Sequence, residues 1–430
     1  MLRQAALPRL RAVDLFCGAG GMSEGLRSAG FHIVAAADHD PDACATFGAN
    51  FPGAAVIEGD LTSAAANEEL VAAATAGGKL DLLAGGPPCQ AFSQVRNHDR
   101  LLEDPRNRLY REFVRLLSEL RPQCLLLENV PGLMQVGGGA VRWQIEEDLS
   151  LGGAYRVSSA VLDAGDFGVP QCRPRLIFIG IREELELPPH PEGIGLVGAL
   201  RLARSRARRG YHVAGEARPD LLGALADPGD ARSVTCAQAL SDLLEPGGAY
   251  SSPPRSAYQE LARRGSDSPQ DHEPSRIRED TRLRLEAIPP GGNIYDLPPE
   301  LARRYLSEKR WGPAGDGEQL SRRHYYAYRR LHPAWLAWTV NTKADFAYHY
   351  AVPRGLSVRE AARLQGFPDS FAFTTAPRGT PGQLPGGARH SCYRQAGNAV
   401  PPPLAAAVGE VLRSALGQPA LSSGPAALAA

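Results

Sequence analysis

The stretch that most restricts this chain runs from Leu80 to Val95. The apolar run Leu80, Leu82, Leu83 and Ala84, with Asp81 near its start, is stopped by Gly85-Gly86-Pro87-Pro88 and followed by Cys89-Gln90-Ala91-Phe92-Ser93-Gln94-Val95. Such a pattern reads as a buried strand that ends in a rigid turn. Each proline ring locks φ, so the chain direction is set just before Cys89. A thiol on a stiff backbone at the carboxyl edge of a sheet is where a nucleophile would be placed. Taken alone, a packed and inert cysteine is the plainer reading, and the rest of the chain has to decide.

The residues before this turn read as the start of a nucleotide-type α/β unit. A short strand over 11–16 leads into a glycine-rich turn with Gly18, Gly20 and Gly21, and then into a helix over 23–29. A second strand, 32–37, ends in Asp38, an acid positioned to bind two ribose hydroxyls. Val56 and Ile57 lead to Asp60. The glycine spacing lacks the third glycine of the dinucleotide fingerprint, and these features suit NAD as well as S-adenosylmethionine.

After the turn, 97–107 is polar, contains Pro105 and reads as a mobile loop. Leu109, Phe113, Leu116, Leu117 and Leu120 then recur at helical spacing over 108–120. A buried strand over 123–127 ends in Glu128-Asn129-Val130-Pro131, which places a carboxylate where a parallel strand exits; a helix N-cap or a surface acid is the alternative. A strand over 155–163 and a turn over 165–170 precede Gln171-Cys172-Arg173-Pro174-Arg175 and the apolar run 176–181. Arginines at i and i+2 point the same way and suit an anionic ligand, although surface arginines are the plainer reading of the pair alone.

From about 183 to 354 the strand–helix alternation is lost. Arg201 to Arg209 holds five arginines, and 301–330 holds eight basic residues against three acids, interleaved with Trp311, Tyr325, Tyr326 and Tyr328. Basic and aromatic residues mixed in this way suit a nucleic-acid surface, with Arg322, Arg323, Arg329 and Arg330 as candidate phosphate contacts; solvated loops are the alternative. Formal net charge is zero, so any such patch is local. Order returns with a helix over 358–364, a glycine- and proline-rich loop over 377–387, Tyr393 to Val400 (YRQAGNAV), and a helix over 404–416. The seven cysteines form no CxxC pair, which speaks for a reducing compartment and against structural zinc. No stretch reaches the ~18 apolar residues of a membrane span, and the N-terminus is too interrupted for a signal peptide.

Taken in order, DLFCGAGG, Asp38, Asp60, GGPPCQAFS, LENVPG, QCRPR, REAARLQGFPDSF and QAGNAVPPPL resemble the C5-cytosine DNA methyltransferase family. The motifs cover about 11–181 and 354–411 in the common, unpermuted order. The resemblance implies an α/β protein with a doubly wound, Rossmann-like methyltransferase sheet and a second, smaller target-recognition domain. The divisions expected are 1–185 and 354–416 for the catalytic domain, 186–353 for the insertion and recognition domain, and 417–430 as a disordered tail. It also implies S-adenosylmethionine as cofactor, S-adenosylhomocysteine as product, and no metal. Cys89 would be the nucleophile, Glu128 the group acting at N3 of the base, and Arg173 and Arg175 the residues that orient the base carbonyl and hold the site together. Cofactor contacts fall on Phe16, Gly18, Gly20, Gly21, Asp38, His39, Asp60, Pro87 and Asn398, with His39 replacing the more usual adenine-stacking aromatic. Ser93, Gln94 and Val95 would enter the gap left by a flipped base. The expected partner is double-stranded DNA, acted on by a monomer with no membrane association; whether a separate cognate restriction endonuclease accompanies it is open. A tRNA cytosine methyltransferase of the same fold, a dinucleotide oxidoreductase and an inactive DNA-binding regulator are the alternatives. Against them stand the roughly 180 residues between QCRPR and REAARLQ, the otherwise unexplained GGPPCQ and LENV, and the intact Cys89, Glu128, Arg175 and Asn398.

Overall fold

Strands covered on both faces read as unbroken apolar runs, and the chain supplies several. The computed structural model describes residues 9–88, 107–195, 234–308, 320, 324, 327–384 and 387–419. Its strands are β1 Leu10–Leu15, β2 Phe31–Asp38, β3 Ala55–Glu58, β4 Leu82–Gly85, β5 Cys124–Asn129, β6 Tyr155–Asp163 and β7 Pro174–Arg182. They form one sheet in the order β3-β2-β1-β4-β5-β7-β6. The first five are mutually parallel, while β7 runs antiparallel to both β5 and β6.

Side-chain alternation divides the sheet between two apolar layers. Ala12, Ala36, Leu82, Ala84, Leu126 and Ile179 face one way; Val13, Ala35, Leu83, Leu125, Leu127 and Phe178 face the other. Helices α1 Gly21–Ser28, α2 Pro41–Asn50, α3 Ala64–Thr75, α4 Arg108–Leu120 and α5 Ala140–Ser150 lie in sequence between the strands. The strand order reverses between β1 and β4, and Leu15 at the end of β1 pairs with Gly85 at the end of β4. That reversal opens a crevice at the carboxyl edge, where ligands bind in folds of this kind. Because β7 is antiparallel, its first residues lie at the same edge, with Leu176 opposite Asn129 and Ile177 opposite Glu128.

The remaining helices are α6 Cys236–Leu240, α7 Ala257–Ala262, α8 Glu279–Ala287, α9 Pro299–Glu308, α10 Val358–Gln365, α11 Gly387–Asn398 and α12 Pro402–Ala415. The last of these returns to the first unit, as the motif order anticipates, and packs on α1. The approach there is backbone-close: a Cβ on Gly25 would drive into the Pro402 carbonyl, and one on Gly409 would lie 2.8 Å from Ala29 Cβ. Residues of the middle region, among them Cys236, Leu240, Tyr258, Leu331 and Phe346, share an apolar cluster with Val358, Ala361 and Leu364 of α10. A smaller separate cluster gathers Ile288, Ile294 and Leu297 with Leu301, Tyr305 and Tyr328. Helix α10 is buried along its whole length, including its charged residues. Arg359 donates to the carbonyls of Gln270, Pro368 and Phe371, and Arg363 bridges Asp242 and Asp369. This helix therefore fastens the middle region to the rest.

Candidate active site and cofactor cradle

The turn after β1 is built from left-handed backbone at Phe16 (φ 57°), Gly18 (φ 53°) and Gly20 (φ 99°). A Cβ on Gly18 would meet nothing within 4 Å, so the bare backbone there faces open space. Asp38, at the end of β2, closes the other side. Its Oδ2 accepts from Gly18 N at 2.8 Å and its Oδ1 from Asp40 N at 2.9 Å. Each carboxylate oxygen thus keeps lone-pair capacity for a ligand hydroxyl. His39 is exposed, with Nδ1 3.3 Å from Asp38 Oδ1, and the hydrogen bond with that carboxylate raises the imidazole above its ordinary 6.5. Asp60 is also exposed. Its Oδ1 accepts from Thr62 N at 2.9 Å, and that bond is the main cause holding its carboxyl below the usual range. Pro87 is buried beside this crevice, and Asn398 is exposed at the end of α11. Open glycine backbone, a pre-oriented acid for a diol, an exposed ring and a second acid suit a nucleoside.

Sequence reasoning missed Asp14, buried beneath the same turn. Its Oδ2 accepts from Ser23 Oγ at 2.7 Å, and burial pushes its carboxyl up to about 7. The only signal for it is its place in the DLF run, which resembles any strand-end acid.

On the catalytic side, Glu128 belongs to β5 itself rather than to the loop beyond it. Its Oε1 lies 2.7 Å from Arg175 Nε, and the two side chains are only 12% and 13% exposed. Glu128 Oε2 lies toward Gly86, 3.1 Å from where a Cβ would stand. The neighbouring Asn129 donates from Nδ2 to the Pro87 carbonyl at 3.1 Å, tying the strand end to the proline turn. Cys89, Ser93, Gln94 and Val95 lie outside the described residues, which stop at Pro88 and resume at Asn107.

Arg173 corrects an expectation. It does not share partners with Arg175 but is buried, donating to the carbonyls of Val340 (2.8 Å), Gly397 (2.7 Å) and Ala399 (3.0 Å). Nη1 and Nη2 are taken up by backbone, so of the two tasks expected of it Arg173 is left with holding the site together. Gln171 works beside it: Nε2 donates to Leu364 O and Gln365 Oε1, both at 2.6 Å, while Oε1 accepts from Val340 N.

The candidate phosphate contacts need a second correction. Arg322 and Arg323 lie outside the described residues, but Arg329 and Arg330 are buried. Arg330 donates to the carbonyls of Leu285, Ile288, His349 and Tyr350. Arg329 donates to Phe346 O and packs over the Trp338 ring. Tyr328 is half-buried and stacks on Tyr348. A run of arginines and aromatics cannot by itself distinguish a basic surface from a polar interior stitched by guanidinium groups.

Among the described residues no group of three or more His, Cys, Asp or Glu side chains is arranged to hold a metal ion, and no helix is long and apolar enough to cross a membrane. A family profile described as C-5 cytosine-specific DNA methylase matches residues 10–414. The Type II methyltransferase M.AgeI of Thalassovita gelatinovora is 30% identical over 460 aligned positions, covering 95% of this chain and 100% of that protein. M.XorII of Xanthomonas oryzae pv. oryzae, also a Type II methyltransferase, is 32% identical over 412 positions, covering 94% and 84% respectively. Among solved structures, a prophage-encoded E. coli protein described as a DNA modification methyltransferase superposes with a TM-score of 0.64. It is 24% identical and covers 95% of this chain and 100% of that one, a likeness that speaks to the fold.

Proposed function

The chain belongs to the C-5 cytosine-specific DNA methylase family and is a DNA (cytosine-5) methyltransferase; from that premise we propose that it methylates C5 of a cytosine flipped out of a specific double-stranded DNA sequence, using S-adenosylmethionine and a covalent adduct at Cys89. The observation that carries this reading is the Glu128–Arg175 pair, set against Gly86 on the strand next to the one that leads to Cys89.

Cytosine C5 is a poor nucleophile because the ring is aromatic. Addition of the Cys89 thiolate at C6 breaks the aromaticity, makes C5 enamine-like and divides one hard step into easier ones. Charge then builds toward N3, where Glu128 supplies a proton or hydrogen bond. Arg175 keeps the Glu128 carboxyl directed at the crevice and lies within reach of the base carbonyl. When bound, S-adenosylmethionine supplies a sulfonium-activated methyl group that C5 attacks. Loss of the C5 proton to a base then expels the Cys89 thiolate and restores the ring. In a duplex, stacking covers the ring faces from which C6 is attacked and C5 attacks, and pairing occupies N3, which is why the base must leave it. Asp38 would hold the ribose hydroxyls, Asp60 the adenine amino group, and His39 the adenine face. The Type II names of relatives that match nearly the whole chain support a role in a restriction–modification pair, with a cognate endonuclease acting separately on the same sequence.

The test uses duplex DNA bearing 5-fluorocytosine. Fluorine cannot leave C5 as a cation, so methylation proceeds and elimination stops. With S-adenosylmethionine present, a denaturation-resistant complex should form, and peptide mapping should place the link at Cys89. Target-containing DNA, confirmed by methylation of the unsubstituted duplex, that yields no adduct or one at another cysteine would sink the proposal. Preferential trapping of substituted RNA would move the substrate to tRNA.

A further inference from the structure

The turn that follows Asp38 at the end of β2 and the helix that carries Asn398 are joined by one arginine. Arg394 Nη2 lies 3.2 Å from Asp40 Oδ2 and 3.9 Å from Asp42 Oδ2, and it donates to Ser391 Oγ at 3.1 Å. Asp40 has two further tasks. Its Oδ1 caps α2 by accepting from Asp42 N at 3.1 Å, and its own N–H donates to Asp38 Oδ1. A continuous path therefore runs from the Arg394 guanidinium through Asp40 to the Asp38 carboxylate and on to Gly18 N. Arg394 stands four residues before Asn398, so the two share one face of α11.

A second attachment makes the arrangement rigid. Asn50, Thr46 and Asp42 are spaced by four along α2, and each bonds the backbone of the extended segment 372–376, at Ala372, Thr374 and Ala376. Four helical residues rise about 6 Å and two extended residues about 6.6 Å, so the stripe and the segment stay in step. Gln395, next to Arg394, donates to Thr374 O at 2.9 Å and fixes α11 to the same segment. Among the described residues, Arg394 is the only Arg or Lys within ion-pair distance of Asp40 or Asp42. Without it, two buried carboxylates beside Asp38 would lack a counter-charge, and the 38–42 loop would lose its tie to α11.

We propose that Arg394 is a positioning residue for the cofactor. It sets the separation between the Asp38–His39 wall and the Asn398 wall of the S-adenosylmethionine pocket without touching the cofactor. The inference rests on the cofactor reading given above and assigns the arginine of the YRQAGN run to cofactor affinity rather than to methyl transfer.

The experiment compares the full-length wild type with Arg394→Met, Arg394→Lys and Asp40→Asn. S-adenosylhomocysteine affinity is read by titration calorimetry, and KM for S-adenosylmethionine, kcat, DNA affinity and melting temperature are read alongside. Arg394→Met should weaken S-adenosylhomocysteine binding and raise the cofactor KM by about tenfold, in the range expected for removing one charged hydrogen bond. Its kcat at saturation and its DNA affinity should stay near wild type. Arg394→Lys should recover part of the affinity, because an ammonium restores the charge but not the fork. Asp40→Asn should weaken binding, and combining it with Arg394→Met should add little, since both cut the same path. If Arg394→Met does not fold, the Lys and Asp40→Asn variants carry the same comparison. Unchanged cofactor affinity in variants that bind DNA normally would overturn the inference. So would equal losses in kcat, DNA affinity and melting temperature with no rescue by lysine. A wild-type protein that binds no S-adenosylhomocysteine would instead remove the cofactor reading, and this inference with it.

Discussion

Arg175 Nε stands 2.7 Å from Glu128 Oε1 across the antiparallel pairing of β7 with β5, and the pairing brings together two motifs 47 residues apart in the chain. A parallel β7 would have carried its first residues to the opposite edge. The pair is mostly buried, so each member is the other's main compensation for lost hydration. Glu128→Gln keeps a hydrogen-bonding group and the shape while removing the proton delivered to N3. It should lower the melting temperature, because the half-enclosed Arg175 loses its counter-charge, leave cofactor affinity near wild type, and slow single-turnover methyl transfer per folded molecule by about 10²–10⁴-fold. A variant that methylates at the wild-type rate would exclude Glu128 from the chemistry.

Arg173→Met should behave differently from any change at Arg175. It removes the Arg173 donors from the carbonyls of Val340, Gly397 and Ala399, leaving the last two only a long contact of 3.5 Å each with Gln365 Nε2. Each unsatisfied group costs about 1–3 kcal/mol, so denaturant unfolding should show a destabilisation of several kcal/mol. Activity per folded molecule, measured well below the transition, should fall much less than in Glu128→Gln.

The packing of α12 on α1 gives a steric prediction. Gly25→Ala would press a methyl group into the Pro402 carbonyl and the Ala405 side chain. Backbone cannot yield as a flexible side chain does, and overpacking of this kind costs about 1–3 kcal/mol or more. Thermal melts should show Gly25→Ala well below wild type. Alanine at Gly53, where a Cβ meets nothing within 4 Å, should have little effect and serves as the control.

Stability should fall in mild acid, and His349 contributes to that slope. Its side chain is fully buried next to Glu360, and burial lowers the imidazole from 6.5 to about 4. The unfolded chain therefore takes up a proton below pH 6.5 that the folded chain refuses until about pH 4. Stability contributed by neutral His349 is complete above pH 6.5 and is lost as pH falls from there to 4, by about 3 kcal/mol in total. Unfolding free energies measured across that interval should be less steep in His349→Gln than in wild type. An identical slope would show that His349 titrates normally in the fold.

The arginines of the middle region can be separated by salt. Arg330→Ala removes a buried group that donates to four carbonyls, and it should destabilise the protein without changing the salt dependence of DNA binding in the folded fraction. Arg322→Ala with Arg323→Ala should reduce that salt slope by about one for each phosphate no longer neutralised. An unchanged slope in the double variant would remove both residues from the DNA surface.

What was legible in the sequence follows from local physics. Unbroken apolar runs marked β1, β2, β4 and β5, glycines marked the turn after β1, and the 3.6-residue repeat marked α4 over its observed bounds, Arg108–Leu120. Motif order was enough to identify the family, because PPCQ and LENV each set a chemically distinctive side chain beside a proline-fixed turn in the sequence. Tertiary structure decided what each polar residue does, since that depends on partners distant in the chain. Arg173 and Arg175 sit two residues apart, yet one binds the carbonyls of residues 340, 397 and 399 and the other binds a carboxylate. Arg329 and Arg330 have the composition of a DNA-binding surface and the burial of a core. Asp40 and Arg394 are 354 residues apart and carry no motif that pairs them. Their pairing depends on the segment 372–376 lying along α2, an alignment set by matched helical and extended rises rather than by any local preference. Local sequence specified where the chain turns and which faces are apolar, whereas the burial of charge was settled only when distant segments closed over it and had to supply its partners.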